Sequence, residues 1–275
     1  MNLLIVTVVK NDLFGLKRTE ASIRRQNQYA NWVIVTPPNQ SETFQYTLTL
    51  KEEGLVSRVL PDSGKGIYPA MNLAISEFEG EEWLWFLNAG DEFARNDSLA
   101  LVESHILETR SKWMYGGHKL GSDSGLVLGE VKSPTAFRIE NQLFAKNYVS
   151  HQATIFKNQF LQELGGFRES LRIASDWDLL VRASKIDKGL RIEEPISIFY
   201  MGGESTVQRK IGNRELLFLR KEHLARRFSI KSYLWFVYRE FRNCVVQFLE
   251  ARSPELANKI RKLRIKFYSF FSEKR

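Results

Sequence analysis

The stretch EWLWFLNAGDEFARND, from Glu82 to Asp97, changes character in its middle. Residues Trp83 to Leu87 are all apolar, and Asn-Ala-Gly-Asp follows them at once. A short apolar run bounded by turn residues is typical of a buried strand. The stretch therefore predicts a strand that ends in polar groups, of which Asp91 carries the charge.

Strand-like runs alternate with helical spacing through the rest of the first two hundred residues. The runs LLIVTVV, WVIVT and SRVL precede EWLWFLN and are separated by helical stretches at Leu13 to Gln26, Thr43 to Glu53 and Tyr68 to Phe78. Further strands are predicted near Trp113 to Gly117, His151 to Lys157 and Ile196 to Tyr200, with a helix starting near Asp176. Such alternation predicts an α/β protein with a largely parallel sheet. In these sheets ligands bind beyond the carboxyl ends of the strands, where Asp91 lies.

Charge divides the 275 residues into two parts. Residues 1–207 contain 22 Lys and Arg against 26 Asp and Glu, whereas residues 208–275 contain 18 against 6. We therefore predict a domain over 1–207 and a basic, helical C-terminal region over 208–275. The single cysteine, Cys244, cannot form an intramolecular disulfide, and the N-terminus has no signal-peptide pattern. These features predict a cytoplasmic protein.

Three other kinds of site do not fit the residues. The phrase AGDEF looks like the signature of diguanylate cyclases, which lies between two strands, but here a helix-capping signal at Asn96 to Ser98 and a helical pattern follow it. No G-x-G-x-x-G motif follows the first strand, which argues against a dinucleotide site. Four histidines and one cysteine provide no zinc-type cluster.

Six phrases follow one another along residues 1–206. They are VTVVKND (6–12), PDSGKGIYPAMNLAI (61–75), WFLNAGDEF (85–93), SHQATIF (150–156), GGFRESLRIASDWDLLVR (165–182) and ISIFYMGGEST (196–206). In this order they resemble the family 2 glycosyltransferases of bacterial exopolysaccharide and O-antigen assembly, of the colanic-acid type. The resemblance implies a GT-A fold, with a mixed, mostly parallel sheet flanked by helices. It also implies an inverting transfer from a nucleotide-sugar donor to a growing, lipid-linked glycan acceptor.

The resemblance further implies a divalent metal, Mg²⁺ or Mn²⁺, that bridges the donor diphosphate. Relatives end their fourth strand in Asp-x-Asp-Asp or Asn-x-Gly-Asp, so Asp91 is the implied metal ligand, with Asn88 beside it. Such a cation neutralises the charge of a departing diphosphate. From the residues alone, Asn-Ala-Gly-Asp also fits a turn followed by a helix cap.

Two carboxylates, Asp176 and Asp178, open the apolar helix within RIASDWDLLVR. From the residues alone, both fit the start of a helix, as a cap and as a partner of its dipole. The resemblance implies that Asp176 is the general base that takes a proton from the acceptor hydroxyl, with Asp178 in support. It also implies that His151, followed by Gln152, faces the site, although a lone histidine fits a structural role as well.

The resemblance implies a set of donor-binding residues at several strand ends, namely Thr7, Asn11, Thr36, Asp62, Tyr68, Asn72 and Asn88. One loop departs from the family. Relatives follow the second strand with an aspartate that meets the nucleotide base and a pair of glycines, whereas this chain has TPPNQSET, with Thr36 and Pro37-Pro38 in those places. Proline fixes φ and removes a backbone donor. The departure keeps a second interpretation open, a GT-A protein with little or no transferase activity that acts as a partner subunit.

The C-terminal region contains a basic amphipathic pattern from Glu255 to Phe271. It fits either a helix packed on its own domain or a helix that binds an anionic membrane surface, where each basic residue adds on the order of 1 kcal/mol. Membrane binding would suit a lipid-linked acceptor and a position on the inner face of the plasma membrane. Residues 1–207 contain no recognition motif for nucleic acid, so we expect no nucleic-acid partner.

Overall fold

The computed structural model describes residues 3–39, 41–78, 82–122, 124–144, 148–201 and 208–224, together with nine positions between 234 and 259. The predicted basic helix from Glu255 to Phe271 lies outside the described residues, apart from Lys259. The phrase GGEST (202–206) lies outside them as well.

Strands and helices alternate through the described chain. The strands are β1 (Leu3–Val8), β2 (Asn31–Thr36), β3 (Val56–Pro61), β4 (Trp83–Phe86), β5 (Glu92–Phe93), β6 (Trp113–Gly121), β7 (Val127–Val131), β8 (Thr154–Lys157) and β9 (Leu190–Tyr200). The helices are α1 (Leu13–Arg24), α2 (Glu42–Glu52), α3 (Ile67–Glu77), α4 (Ser98–Glu108), α5 (Ile139–Leu143), α6 (Asn158–Glu163), α7 (Ser175–Ser184) and α8 (Arg209–His223).

All nine strands form one mixed sheet in the order β3-β2-β1-β4-β8-β6-β9-β5, with β7 paired to β6. The strands β3, β2, β1 and β4 run parallel to one another, as the alternation of strands and helices predicts. β8 then pairs antiparallel with both β4 and β6. The predicted mixed α/β sheet with flanking helices is confirmed.

The central strands are continuously apolar because helices cover both faces of the sheet. Along β4, Leu84 and Phe86 belong to the core on one face, and Trp83 and Trp85 belong to the core on the other. All four are buried. The alternation explains why a strand can read as an unbroken apolar run and still serve two separate cores.

Four parts of the sheet differ from the sequence expectations. β9 begins at Leu190, ahead of the predicted Ile196. Its first half was missed because only Ile192 is buried there and no continuous apolar run marks it. The antiparallel pair of β6 and β7 was not predicted, and neither was the two-residue strand β5. His151 was expected to begin a strand, but it begins a 3-10 turn, because the N–H of Ala153 bonds back to the carbonyl of Ser150 at 3.0 Å.

Helix α8 lies within residues 208–275, the predicted C-terminal region, and it packs on the predicted domain of residues 1–207. Leu216 and Leu219 share a small apolar core with Leu143, Leu171 and Val181. The division at residue 207 stays a prediction. Among the described helices, none has the length and apolar character needed to cross a bilayer.

Candidate active site

The turn after β4 carries Asn88, Gly90 and Asp91 and is tied to helix α1. Gly90 has a φ of 95°, a conformation that favours glycine. Its N–H donates to Oγ1 of Thr19 at 3.1 Å, and that hydroxyl donates to the carbonyl oxygen of Asp91 at 2.8 Å. The N–H of Asp91 donates to the carbonyl oxygen of Asn88 at 2.9 Å. The fold therefore holds Asp91 rigidly beyond the carboxyl end of a central strand.

The side chains of Asp91 and Asn88 fit the oxygen ligands that Mg²⁺ and Mn²⁺ prefer. Asp91 is 5% exposed, and burial raises the pKa of its carboxyl group well above the usual range. A hydrogen bond with Gln152, the backbone of Asn88 and the charge of Arg18 offset only part of that shift. Oδ1 of Asn88 is buried and has no hydrogen-bond partner among the described residues. A divalent cation would satisfy this oxygen and favour the ionised carboxylate.

An aromatic cluster packs between the end of β4 and the segment that precedes α7. The ring of Phe167 lies 5.5 Å from Phe86, 5.6 Å from His151 and 5.5 Å from Tyr68, measured between centroids. His151 also stacks on Phe86 at 5.8 Å. Burial lowers the pKa of His151 to about 4, so its imidazole is neutral at pH 7. The cluster brings together four segments that are far apart in sequence.

Asp176 lies in the first turn of α7, partly buried beside Tyr68. The hydroxyl of Tyr68 lies 2.7 Å from the carbonyl oxygen of Ile173 and 3.2 Å from Oδ1 of Asp176. The N–H of Trp177 donates to the same Oδ1 at 2.9 Å. Burial raises the pKa of Asp176 to about 7, against the effect of both hydrogen bonds and with a smaller contribution from the charge of Glu215. A carboxyl group with this pKa can exchange a proton at neutral pH.

Asp178 has entirely different surroundings. It is 0% exposed, and it bonds Arg182 at 2.7 Å and Nε2 of His223 at 2.9 Å, with Arg168 at 3.4 Å. Burial acts to raise the pKa of Asp178, but these partners together lower it. Asp178, Glu222 and His223 lie close enough to share a cation, yet both arginines already neutralise this group. The contacts make Asp178 an anchor of α7 on α8.

Two of the predicted donor-binding residues are buried within the sheet. The hydroxyl of Thr7 donates to the carbonyl of Leu87 at 2.7 Å and accepts from Nε1 of Trp32 at 2.9 Å. Thr36 ends β2 and is 2% exposed. These environments make both threonines part of the packing at the strand ends, and their contact with a donor stays a prediction.

Asn72 serves the aromatic cluster. Its Nδ2 donates to the carbonyl of Phe167 at 2.8 Å, and its Oδ1 accepts from the N–H of Phe167 at 2.8 Å. This pair of bonds fixes the backbone of the central ring of the cluster. Because these bonds occupy the side-chain amide of Asn72, its contact with a nucleotide-sugar donor stays a prediction.

The remaining donor-binding predictions lie beyond the ends of β1 and β3. Asn11 has a φ of 51°, and its Oδ1 accepts from Nδ2 of Asn39 at 3.2 Å. Asp62 accepts from the N–H of Gly64 at 3.0 Å, and burial raises the pKa of its carboxyl group. Nζ of Lys10 donates to the carbonyl of Gly64 at 3.0 Å. These residues line a more exposed patch, separate from the aromatic cluster.

Two residues with a clear place in the site were not assigned a role from the sequence. Lys10 bridges the ends of β1 and β3, and its place in VTVVKND, directly after a strand, was the available signal. Glu215 contacts the backbone ahead of Asp176 from α8, and no local pattern in the sequence indicates this contact.

Comparison with known sequences finds glycosyltransferases, although no family model matches the chain. An uncharacterized glycosyltransferase of Mycobacterium tuberculosis is 28% identical over 185 residues, which are 66% of this chain and 68% of the relative. A PGL/p-HBAD biosynthesis glycosyltransferase of Mycobacterium bovis is 29% identical over 121 residues, 44% of either chain. These relatives support the prediction that the chain is a glycosyltransferase.

Solved structures share the fold at low sequence identity. TarS 1-349 of S. aureus in complex with UDP-GlcNAc superposes with a TM-score of 0.61 at 14% identity, covering 81% of this chain and 67% of that one. A longer TarS chain is covered to only 40%. The mannosyltransferase PcManGT from Pyrobaculum calidifontis, in complex with GDP-Man and Mn²⁺, superposes with a TM-score of 0.59 at 13% identity. The match covers 99% of this chain and 83% of that one. The predicted GT-A fold is confirmed.

Proposed function

We propose that this protein is an inverting, metal-dependent glycosyltransferase of the family 2 type, which moves a sugar from a nucleotide donor to a lipid-linked bacterial surface glycan. Asp176 is the single observation that carries the proposal. Its carboxyl group lies beside the aromatic cluster, and burial raises its pKa to about 7, which suits a general base that takes a proton from a sugar hydroxyl. The named relatives and the nucleotide-sugar complexes of the solved neighbours support the reaction class.

The proposed reaction is a single displacement. Tyr68 and Trp177 both bond Oδ1 of Asp176, and we assign the other oxygen, Oδ2, to the acceptor hydroxyl. That oxygen takes the proton as the acceptor oxygen forms its bond to the anomeric carbon and the bond from that carbon to the diphosphate breaks. The attack comes from the face opposite the leaving group, so the anomeric configuration inverts. Neutral His151 contributes packing against Phe86 and leaves the proton to Asp176.

We assign the metal to Asp91, with the orphaned Oδ1 of Asn88 beside it. When bound, Mg²⁺ or Mn²⁺ neutralises the diphosphate as it leaves. The residues of this chain contribute a rigid position, because Thr19 and Gly90 fix the turn that carries both ligands. Asn11 and Asp62, beyond the ends of β1 and β3, are assigned to the nucleotide.

The second candidate is a GT-A protein without transferase activity that acts as a partner subunit, and the pair Pro37-Pro38 after β2 is the feature that favours it. Pro37 lies in the loop after β2, which meets the nucleotide base in relatives. A Cβ atom at Gly64, in the loop after β3, would lie 3.6 Å from the Pro37 ring, so these two loops are close neighbours. Nζ of Lys10 donates to the carbonyl of Gly64 and so links the end of β1 to the loop after β3. Nucleotide binding therefore separates the two candidates.

Titration calorimetry with UDP, GDP and dTDP in the presence of Mn²⁺ tests the proposal. We expect one nucleotide to bind, and we expect Asp91→Ala to abolish metal-dependent binding with the fold intact. Asp97→Ala is the matched control, because Asp97 is an exposed carboxylate in the same loop region, paired with Arg95. If none of the nucleotides binds, the partner-subunit interpretation gains. If Asp91→Ala binds as the parent does, Asp91 is only a turn residue.

The proposed acceptor and location rest on the sequence. A lipid-linked glycan is presented at a membrane surface, and the 18 basic residues of the region 208–275 favour contact with anionic lipid. We therefore propose that the protein works in the cytoplasm, peripherally on the inner face of the plasma membrane.

A further inference from the structure

Glu215 of α8 reaches the backbone that leads into α7. Its Oε1 accepts from the N–H of Arg172 at 2.7 Å, and its Oε2 accepts from the N–H groups of Ile173 and Ala174, each at 2.9 Å. Three successive N–H groups thus converge on one carboxylate. Consecutive backbone donors of this kind form a concave site for an anion, and here the anion is a side chain of the same molecule.

The contact lies directly ahead of a helix start that has no side-chain cap. Ala174 is the N-cap residue of α7, and its side chain offers no hydrogen-bond acceptor. Backbone N–H groups at a helix start need partners from elsewhere. Glu215 supplies a charged acceptor, which forms stronger hydrogen bonds than a neutral one. From another helix it thus satisfies the N–H of the N-cap residue Ala174 and those of the two residues before it.

Helix α3 contacts the same backbone segment, residues 172–174, from the other side. The carbonyl of Ile173 accepts from the hydroxyl of Tyr68 at 2.7 Å, while its N–H is held by Glu215. Asp176 follows directly in the first turn of α7. The place of its carboxyl group is thus set by Tyr68 on one side and by Glu215 on the other.

We propose that Glu215 is a positioning residue for the general base: it holds the backbone of residues 172–174 and so sets where the Asp176 carboxyl group lies. The inference rests on the proposed function. Its charge has a second effect, because Glu215 adds to the raised pKa of Asp176 after the larger effect of burial. Tyr68 is the other titratable group at that carboxyl group, and its hydrogen bond acts in the opposite direction.

The test compares Glu215→Gln and Glu215→Ala with Glu222→Gln. The glutamine retains one acceptor oxygen, but it loses the charge and turns an NH₂ donor toward a row of N–H donors. Glu222 is the matched control, since it lies on the same helix and pairs with Arg168 instead of the backbone ahead of α7. Each full-length variant is followed by ¹³C NMR titration of the Asp176 carboxyl group, assigned with Asp176→Asn, and by kcat and donor KM across pH.

We expect Glu215→Gln to lower the pKa of Asp176 and to reduce kcat by roughly 10-fold or more, the scale on which small displacements of reacting groups act. Donor KM should stay within about two-fold of the parent, because the donor is bound elsewhere. Glu215→Ala should reduce kcat further, and Glu222→Gln should change neither quantity.

Two outcomes would overturn the proposal. One is a Glu215→Gln protein whose Asp176 titration and kcat match the parent. The other is an equal effect of Glu222→Gln, which would mark a general effect of α8. If the parent transfers no sugar to any acceptor, the proposed function fails, yet the NMR titration still decides whether Glu215 governs the Asp176 carboxyl group. If Glu215→Ala does not fold, the near-isosteric glutamine variant decides the question.

Discussion

The first turn of α7 carries two carboxyl groups, those of Asp176 and Asp178, in opposite electrostatic surroundings. On one side, Asp176 is partly buried, and its bonds within the described part of the chain come from neutral donors, the Tyr68 hydroxyl and the Trp177 N–H. On the other side, Asp178 is fully buried and contacts Arg182, Arg168 and His223. The pKa of Asp176 is raised to about 7, and the pKa of Asp178 is lowered.

The difference shows that the partners of a buried carboxylate, more than burial itself, decide its role. Burial disfavours the charged form of both groups. Nearby cations reverse this effect at Asp178 and convert it into a structural anchor. At Asp176 neutral hydrogen bonds leave most of the effect in place, so a proton can be taken up near pH 7.

The largest effect is expected from removing the anchor. Asp178→Asn leaves two arginines facing a neutral amide in a buried site, and breaking a buried ion pair in this way costs about 3–5 kcal/mol. Urea unfolding should show this loss in the free energy of unfolding. Asp97→Asn is the control, because its pair with Arg95 is exposed and should contribute less than about 1 kcal/mol. Equal stability of the two variants would contradict the anchoring role.

A smaller effect, on turnover instead of stability, is expected at the other carboxylate. Asp176→Asn should bind the donor and lose turnover by roughly 10² or more, the scale of general-base loss. The fold should remain, since the amide can still accept from Tyr68 and Trp177. The measurement is kcat with donor and acceptor, beside donor affinity by calorimetry. Unchanged turnover would remove Asp176 from the mechanism.

The smallest effect is a pH dependence of stability with opposite signs at the two sites. The raised pKa of Asp176 means that its contribution to stability is present below its ordinary value of 3.8 and is lost as the pH rises to about 7. The lowered pKa of Asp178 means that its contribution is present above 3.8 and is lost as the pH falls through its folded-state value.

We expect the parent to lose on the order of 1 kcal/mol of stability from pH 5 to pH 8 relative to Asp176→Asn, because one pKa unit corresponds to about 1.4 kcal/mol and partial exposure screens the rest. Urea midpoints of both proteins at the two pH values provide the measurement. Parallel pH profiles would show that Asp176 has an ordinary pKa in the folded state.

The sequence predicts the parallel half of the sheet well, because β1, β2 and β4 are apolar on both faces and read as unbroken runs. It misses β7 and the first half of β9, where only Leu128 and Ile192 are buried, so neither segment reads as an apolar run. Local pattern is sufficient where a strand is covered on both sides, and it is insufficient near the edge of the sheet.

The site is predictable in its strand-end and helix-start positions, but not in its electrostatics. Asp176 and Asp178 share one short phrase, and either fits a helix cap from the residues alone. Arg182, four residues after Asp178, is the only partner that helical spacing indicates. Glu215 and His223 come from α8, and only the tertiary fold brings them to α7.

The pairing of β4 with β8 has a consequence for how the chain is made. β1 to β4 leave the ribosome before β8, and units that are synthesised earlier can fold before later ones are made. Until β8 arrives, β4 is an edge strand of four apolar residues whose outer backbone groups are unpaired. Such an edge is a template for pairing with other chains. Fragments that stop before Thr154 should therefore aggregate, and the nascent protein is vulnerable until the antiparallel strand covers that edge.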